Sequence, residues 1–371
     1  MTLAELVERM AGRLAAAGVV FGHGTDNAYD EAAWLVQWRL GMPLDALDSL
    51  GAREIAAAEE DAVRALVAQR IATRRPAAYL TGEAWLQGVP FFVDERVIVP
   101  RSLVAEPLVD GTLDAWLPGA PARVLDLCTG GASLAVLAAR HWPGARLVAT
   151  DLSADALAVA ARNVARHALG GRIVLLQGDG LAALTGDGLA ALTGDGLAAL
   201  TGEGLAALTG DGGAFDVVLC NPPYVNTASM AALPPEYRAE PALALAGGPD
   251  GMDFIRRLLL DVAAHLTPQG VLVLEIGHER AHFEAAFPAL EPVWLPTSAG
   301  DDQVLLLARA ALGDAPSGRS GRTCVETSIG TSIGTSSGTS SGTSIGTSIG
   351  TSSGGPGAAP LGAAAGTRGG A

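Results

Sequence analysis

Residues 1–78 carry apolar side chains at the spacing of amphipathic helices. These positions are Leu3, Leu6, Val7, Met10 and Leu14, followed by the stretches 32–40 and 52–71, in which apolar residues recur every three or four positions. We therefore predict a small N-terminal helical domain over residues 1–78. The polar loop 22–27 contains His23, a candidate functional group, although we expect one local hydrogen bond to be its role.

Residues 79–101 change to aromatic and β-branched side chains. Two runs of this kind, 83–86 and 91–93, flank Gly88, and a third run covers 96–99. Such runs around a glycine predict a β-hairpin followed by a strand. We interpret 79–101 as a β-hairpin bridge between the helical domain and the next one.

Apolar runs of strand length alternate with helical patterns from residue 102 to residue 311. The predicted strands are 124–128, 146–150, 173–176, 215–220, 270–276, 293–295 and 304–308; the main predicted helices are 134–142, 153–167 and 252–266. Strands that alternate with helices predict a doubly wound, mainly parallel sheet. The predicted fold class is therefore α/β, with a Rossmann-like domain at 102–311.

Two low-complexity segments accompany this domain. The octapeptide Gly-Asp-Gly-Leu-Ala-Ala-Leu-Thr at 178–185 recurs with one Asp-to-Glu change up to residue 209, so that 178–212 is a repeat insertion. Connections in α/β units are usually about two to six residues long, so we expect this insertion to be a flexible or partly helical surface loop. The tail 312–371 is rich in Gly, Ser and Thr, and we expect it to be disordered.

Composition narrows the function. The net charge is −15, which argues against stable nucleic-acid binding but suits a basic protein partner. The chain contains no lysine, which excludes Schiff-base and P-loop chemistry. Its three cysteines suggest neither a disulfide framework nor a metal site. No apolar run is long enough to span a membrane and no signal peptide is evident, so we expect a cytoplasmic protein.

Candidate polar residues lie at the carboxyl ends of the predicted strands. They are Asp126, the small-residue turn Thr129-Gly130-Gly131, Asp151, Asp179 and Asn221. In doubly wound sheets, ligands lie beyond the carboxyl ends of the strands, and a glycine turn with a following acid is typical of a nucleotide-type site. A dehydrogenase is one candidate on this basis.

The run Asn221-Pro222-Pro223-Tyr224 favours a different reaction. The prolines restrict the backbone to extended conformations, so that a stiff loop presents an amide, a carbonyl without a competing N–H, and an aromatic ring. Such a loop can hold a planar NH2 group by both hydrogens. Hydride transfer gives these residues no role, whereas methyl transfer to a weakly nucleophilic nitrogen does.

The chain resembles known methyltransferases at these motifs. The runs 126–130 and 221–224, with Asp151, are similar to class I S-adenosylmethionine-dependent methyltransferases that modify amino groups. The runs 79–85, 93–101, 240–245 and 248–251 resemble the protein-(glutamine-N5) methyltransferases. Loop 22–27 and Cys128 are similar to the branch that acts on ribosomal large-subunit protein three.

This resemblance implies a seven-stranded sheet, S-adenosyl-L-methionine as cofactor and ribosomal large-subunit protein three as a basic protein substrate. It also implies that the helical domain 1–78 serves in substrate recognition. It implies a cofactor site at Asp126, Cys128, Thr129, Gly130, Gly131, Asp151, Asp179 and Asn221. It implies catalytic roles for Asn221, Pro222 and Tyr224, and a substrate site at Asn221, Pro222, Pro223 and Tyr224. No metal is implied. One departure is Ala132, where the family has glycine, and a positive φ there would cost roughly 1 kcal/mol.

Three other functions remain open from the sequence. Release factors are an alternative protein substrate, and adenine or guanine in nucleic acid is an alternative acceptor, which the acidic balance weakens. A non-catalytic assembly factor is the third, because Ala132 and the insertion both border the cofactor turn.

Overall fold

The N-terminal part is a cluster of five helices. The computed structural model describes residues 1–184, 190–193, 196–199 and 214–313. The helices are α1 Leu3–Ala16, α2 Ala28–Arg39, α3 Ala46–Leu50, α4 Ala57–Thr73 and α5 Ala77–Thr81. The apolar positions predicted for α1 are all buried, and Thr2 with Glu5 forms a capping box at its start. The helical pattern of the sequence is thus confirmed.

A short hairpin follows the helices. Strands β1 Glu83–Leu86 and β2 Val89–Phe92 pair in antiparallel fashion around Gly88. The strand expected at 96–99 was wrong. Its backbone groups bind side chains and not a neighbouring strand. The Val97 carbonyl accepts from the Tyr79 hydroxyl at 2.5 Å, and the Val99 N–H donates to Glu240.

The remaining residues form a mostly parallel sheet flanked by helices. Its strands are β3 Arg123–Leu127, β4 Arg146–Asp151, β5 Ile173–Gln177, β6 Ala190–Thr193, β7 Gly196–Ala199, β8 Phe215–Cys220, β9 Leu266–Glu275, β10 Val293–Thr297 and β11 Gly300–Ala308. Seven of them, in the order β5-β4-β3-β8-β9-β11-β10, match the predicted seven-stranded sheet, with β11 antiparallel to its neighbours. The α/β prediction is therefore confirmed.

Helices cover both faces of this sheet. The helices against the sheet are α6 Ala105–Val109, α7 Ser133–His141, α8 Ala154–Arg166, α11 Asp253–Asp261 and α12 Arg280–Ala286. Two short helices, α9 Thr227–Ala232 and α10 Pro235–Arg238, lie in the segment between β8 and α11. Successive strand residues point to opposite faces, so that Val217 and Leu219 join one apolar core while Val218 and Cys220 join the other. Helix α11 ends at Asp261, and a 3-10 helix over Val262–His265 continues the helical stretch up to Leu266, which begins β9 and pairs with Phe215.

The described parts of the octapeptide insertion are not the loop that we expected. Residues Gly180–Leu184 form a 3-10 turn, β6 pairs with the outer edge of β5, and β7 pairs with β6. An unpaired edge strand offers free N–H and C=O groups, and the repeats supply partners for them. The rest of the insertion and the tail from 314 lie outside the described residues, where the expected flexibility and disorder stay predictions.

Candidate active site

The strand register brings the predicted site together at one edge of the sheet. Leu127 lies opposite both Thr150 and Cys220, and Cys220 lies opposite Leu274. The four strands therefore end level with one another, and the residues that follow these positions are Cys128, Asp151, Asn221 and Glu275. This is the edge at which α/β sheets bind ligands.

The turn after β3 has an unusual backbone. Cys128, Gly130 and Ala132 all have positive φ, at 57°, 53° and 62°. Hydrogen bonds hold the turn to the end of β4, since the Thr129 N–H donates to the Thr150 carbonyl at 2.9 Å and the Gly130 N–H to Asp151 Oδ2 at 2.9 Å. Only glycine adopts this conformation without strain, so Cys128 and Ala132 are strained positions beside the candidate site.

Asp126 lies beneath this turn, and only one of its two carboxyl oxygens accepts hydrogen bonds. Its Oδ2 accepts from the Thr129 hydroxyl at 2.5 Å and from the Ala135 N–H at 3.0 Å. Its Oδ1 is buried and has no hydrogen-bond partner within the described residues. Burial, reinforced by the nearby charge of Asp151 and opposed by the two hydrogen bonds, raises the pKa of Asp126 to about 7. A buried acceptor of this kind fits a cationic ligand group.

The other two predicted acids occupy different environments. Asp151 is largely buried, accepts from Gly130 and from the Ser153 N–H at 2.9 Å, and has a pKa raised by that burial. Asp179 is exposed and pairs with Arg257 of α11 at 2.5 Å. Because the Gly178 N–H donates to the Asp151 carbonyl, Asp179 nevertheless lies beside the end of β4. Its expected place near the adenine stays a prediction.

Asn163 is a site residue that sequence reasoning missed. This fully buried α8 side chain donates to the Gly131 carbonyl at 2.8 Å and to the Phe92 carbonyl at 3.0 Å, and accepts from the Phe92 N–H at 2.7 Å. It therefore ties the turn to the hairpin. A Cβ on Gly131 would lie 3.4 Å from the Asn163 amide nitrogen, at the short end of ordinary van der Waals contact.

The Asn221 loop leaves two acceptors free. Among the described residues, no hydrogen bond reaches the Asn221 side chain or the Pro222 carbonyl, although Pro222 itself is buried. Loop positions further on are held, because the Val225 N–H donates to the Leu245 carbonyl at 2.8 Å. The loop thus presents two fixed oxygens with unused hydrogen-bonding capacity.

Three glycines enclose the end of this loop. A Cβ on Gly247 would lie 2.7 Å from Tyr224 Cα and 2.8 Å from the Pro223 carbonyl oxygen. A Cβ on Gly251 would lie within 2.2 Å of the Tyr224 carbonyl oxygen, and one on Gly277 within 2.5 Å of the Tyr224 ring. Real Cβ atoms do not approach so closely, so these positions admit only glycine and fix the tyrosine.

The hydroxyl of Tyr224 has a buried partner that was not predicted. It donates to Glu275 at 3.0 Å, and the same carboxyl accepts from the Ser102 hydroxyl at 2.6 Å and the Leu103 N–H at 2.9 Å. Burial raises the pKa of Glu275 despite these donors, and burial with the adjacent carboxylate raises the pKa of Tyr224. The tyrosine therefore acts as a neutral, anchored ring.

His23 also lies close to this region, and our expectation of a local hydrogen bond was wrong. The side chain is buried, with its Nε2 3.5 Å from Glu240 and its ring 4.3 Å from that of Tyr237. Glu240 is in turn paired with both Arg101 nitrogens at 2.6 and 2.7 Å. Burial alone would raise the pKa of Glu240, but Arg101 and His23 outweigh it and lower the pKa to about 2.

Neither a metal site nor a membrane span is found in the part of the chain that the structure describes. No group of three or more His, Cys, Asp or Glu residues there is arranged to hold a metal ion. No helix there is long and apolar enough to cross a membrane.

Comparison with known proteins places the chain. The model of the PrmC N-terminal domain matches residues 5–82. The ribosomal protein uL3 glutamine methyltransferase of Bordetella pertussis is 50% identical over 313 residues, which cover 84% of this chain and 96% of that protein. A relative with the same name from Burkholderia pseudomallei is 47% identical over 84% of this chain and 95% of that protein. A ribosomal protein L11 methylase structure from Lactobacillus delbrueckii subsp. bulgaricus is 18% identical, with a TM-score of 0.32, covering 56% of this chain and 78% of that one. The chain belongs to the family of ribosomal protein uL3 glutamine methyltransferases.

Proposed function

We propose that this protein transfers a methyl group from S-adenosylmethionine to the side-chain amide nitrogen of a glutamine in ribosomal protein uL3. The observation that carries the proposal is the pair of unused acceptors on Asn221 and Pro222, one residue beyond a strand end and beside the turn after β3. The relatives that share 42–50% of their residues with this chain bear that activity in their names.

The residues at the turn fit the cofactor. S-adenosylmethionine carries a cationic amino group, and the unpartnered Oδ1 of Asp126 is a buried acceptor for it. The left-handed positions from Cys128 to Ala132 let the backbone approach a ligand closely. Asp151 has lone pairs left for ribose hydroxyls after binding Gly130 and Ser153. When bound, the cofactor supplies an electrophilic methyl group.

The Asn221 loop would orient the weakly nucleophilic amide nitrogen of the substrate for methyl transfer. An amide nitrogen is a poor nucleophile because its lone pair is delocalised into the carbonyl. The Asn221 side-chain oxygen and the Pro222 carbonyl would accept its two hydrogens, so that the nitrogen is held in one orientation. Positive charge develops on the nitrogen in the transition state, so both acceptors bind the amide group more strongly there than in the ground state. Positioning of the nitrogen supplies much of the rate enhancement.

Tyr224 completes the substrate site as a wall for the planar amide. Its anchoring to Glu275 and its enclosure by Gly247, Gly251 and Gly277 keep the ring in one position. A preorganised wall costs no ordering at the moment of binding. The neutral hydroxyl, whose pKa is raised, adds no charge beside the site.

The substrate is expected where ribosomes are made, so we place the activity in the cytoplasm. A basic ribosomal protein is a suitable partner for a chain of net charge −15. Release factors and the bases of nucleic acids are the competing acceptors. The acidic balance argues against the latter, because nucleic-acid binding requires neutralisation of phosphates.

The test is transfer of labelled methyl from S-adenosylmethionine to purified uL3, release factor and DNA, side by side. We expect label in uL3, at a glutamine identified by mass spectrometry. Asn221→Ala should lower turnover by roughly 10²–10³-fold or more, while binding of S-adenosylhomocysteine and the thermal unfolding curve change little. Label in DNA alone, or full activity of the variant, would refute the proposal.

A further inference from the structure

Arg101, in the stretch that follows the hairpin, binds one buried carboxylate, that of Glu240. The two terminal nitrogens of its guanidinium donate to the two carboxylate oxygens at 2.6 and 2.7 Å, and the Val99 N–H donates to the same group at 2.9 Å. Such a bidentate pair needs the planar fork of arginine, which a lysine ammonium cannot reproduce. Burial opposes ionisation of Glu240, but Arg101 and His23 lower its pKa to about 2, so the pair is charged at neutral pH.

Ser102, the next residue, binds a second buried carboxylate. Its hydroxyl donates to one oxygen of Glu275 at 2.6 Å, and the Leu103 N–H donates to the same oxygen at 2.9 Å. The other oxygen accepts from the Tyr224 hydroxyl at 3.0 Å. A buried carboxylate is costly unless it is hydrogen-bonded, so these donors fix Glu275 between Ser102 and Tyr224.

Glu240 begins the segment that holds the chain directly after the Asn221 loop. The Val225 N–H donates to the Leu245 carbonyl at 2.8 Å, and the Gly247 N–H donates to the Val225 carbonyl at 2.9 Å. Only one 3-10 turn lies between Glu240 and Leu245. A displacement of Glu240 is therefore passed to Val225 over a short stretch of chain.

The Asn221 loop is thus attached at both ends, in two different ways. Its start directly follows β8 and is fixed by the sheet, whereas its end is fixed through Tyr224 and Val225. Within the described residues, Arg101 and Ser102 make no hydrogen bond to the loop itself. They act on its end through the two acids that they bind.

We propose that Arg101 and Ser102 are positioning residues for methyl transfer: through Glu240 and Glu275 they hold the Asn221 loop where its two acceptors orient the substrate amide. The inference rests on the proposed function, since it takes the loop as the place where a glutamine amide binds. A displacement of about 1 Å at a reacting group can lower a rate by roughly 100-fold, so side chains outside the site can control turnover. A purely structural role would instead lower stability and leave the turnover of the folded enzyme unchanged.

The experiment uses the full-length enzyme with uL3 and three single variants. Arg101→Lys keeps the charge and removes the fork, Glu240→Gln keeps an acceptor for Val99 and removes the charge of the same pair, and Ser102→Ala removes one donor to Glu275. We expect each change to lower kcat roughly 10-fold or more, while KM for uL3 and Kd for S-adenosylhomocysteine stay within about 2-fold. Arg101→Lys combined with Glu240→Gln should lose little more than the worse single variant, because both act through one pair.

Hydrogen exchange in the free enzyme measures the same effect without any substrate. The amides of Val225 and Gly247, whose hydrogen bonds join the end of the loop to the following segment, should exchange roughly 5-fold faster or more in Arg101→Lys and in Glu240→Gln. Thermal unfolding shows which variants are folded, and kcat and exchange rates are compared among those.

Arg70→Lys is the matched control. Arg70 also pairs with a buried carboxylate, Glu31, at 2.9 and 3.4 Å, and within the described residues neither side chain hydrogen bonds to 221–225 or 240–247. We expect this change to lower the thermal stability and to leave kcat and both exchange rates unchanged.

Two results would overturn the positioning role. One is an unchanged kcat in the folded variants of Arg101, Glu240 and Ser102, or a change confined to KM. The other is a loss of kcat in Arg70→Lys as large as theirs. If the unmodified enzyme transfers no methyl group to uL3, the proposed function fails, and the exchange rates then decide the positioning role by themselves.

Discussion

The raised pKa of Asp126 predicts that the cofactor binds more tightly as the pH rises towards neutrality. With a pKa of about 7, the buried carboxyl is mostly protonated at pH 5.5 in the free protein. If Asp126 holds the cationic amino group of the cofactor, as we propose, the ionised form holds it best and binding must release the proton. The affinity is therefore limited by the ionised fraction.

The magnitude follows from that fraction. If only the ionised form binds, the affinity rises roughly 25-fold between pH 5.5 and pH 7.5, with a slope approaching tenfold per pH unit at the acid end. Above about pH 7.5 the amino group of the ligand begins to lose its own charge, which limits the useful range. Asp126→Asn removes the titrating group, so its weaker affinity should be nearly independent of pH.

The free protein should show the opposite trend in stability. The folded state holds a proton on Asp126 that the unfolded chain releases above its ordinary pKa of 3.8. The free energy of unfolding therefore falls as the pH rises from about 4 to about 7, by at most about 4 kcal/mol for this group. Asp126→Asn should remove that part of the dependence, which urea unfolding at several pH values measures.

Calorimetry with S-adenosylhomocysteine, repeated in buffers of different ionisation enthalpy, tests the binding prediction. We expect release of nearly one proton per ligand at pH 5.5 and much less at pH 7.5. Asp151 also has a raised pKa, and the comparison with Asp126→Asn separates the two groups. A flat affinity in the unmodified protein, or the same slope in the variant, would refute the assignment.

Three further changes have defined outcomes. Ala132→Gly relieves a left-handed backbone strain of roughly 1–2 kcal/mol, but it removes a buried methyl group and increases the conformational freedom of the unfolded chain. The free energy of unfolding, measured in urea, should therefore stay within about 1 kcal/mol of the original value, and a gain above about 2 kcal/mol would contradict this. Gly251→Ala places a Cβ against the Tyr224 carbonyl and should lower the free energy of unfolding by roughly 3 kcal/mol or more, with loss of activity. Gly88→Ala is the control, since Gly88 also has a positive φ but lies in open space, and it should lower the free energy of unfolding by only about 1 kcal/mol. Excision of 186–209 should leave folding and methyl transfer intact, since the described strands there lie beyond β5; lost activity would place the repeats in the site.

Much of the fold could be predicted because its signals are local. Apolar runs and apolar patterns of period 3.6 indicated the seven strands and the main helices. Asp126 and Asp151 lie at the ends of two strands, and Asn221 comes directly after a third. Since parallel strands end at one edge, their meeting followed from topology alone. The failed expectation at 96–99 had the same local basis, because β-branched residues there suggested a strand that tertiary contacts prevent.

The residues that support the site could not be found this way. Asn163 looks like any polar residue of a helix, and Glu275 like any acid at a strand end, until the chain brings them to Gly131 and Tyr224. Their partners lie far away in sequence, and no local pattern encodes such pairs. The run 248–251 did draw attention to Gly251, but only the folded structure shows that a Cβ there would collide with the Tyr224 carbonyl oxygen.

The position of the octapeptide repeats bears on how this gene can change. The unit has eight residues, and the two short strands β6 and β7 belong to successive copies of it. Strands β6 and β7 lie outside β5, away from the four strands whose ends carry the site. We therefore expect a change in copy number to leave the candidate site residues in place. Related strains should differ here in multiples of eight residues while Asn221 and its glycines stay fixed.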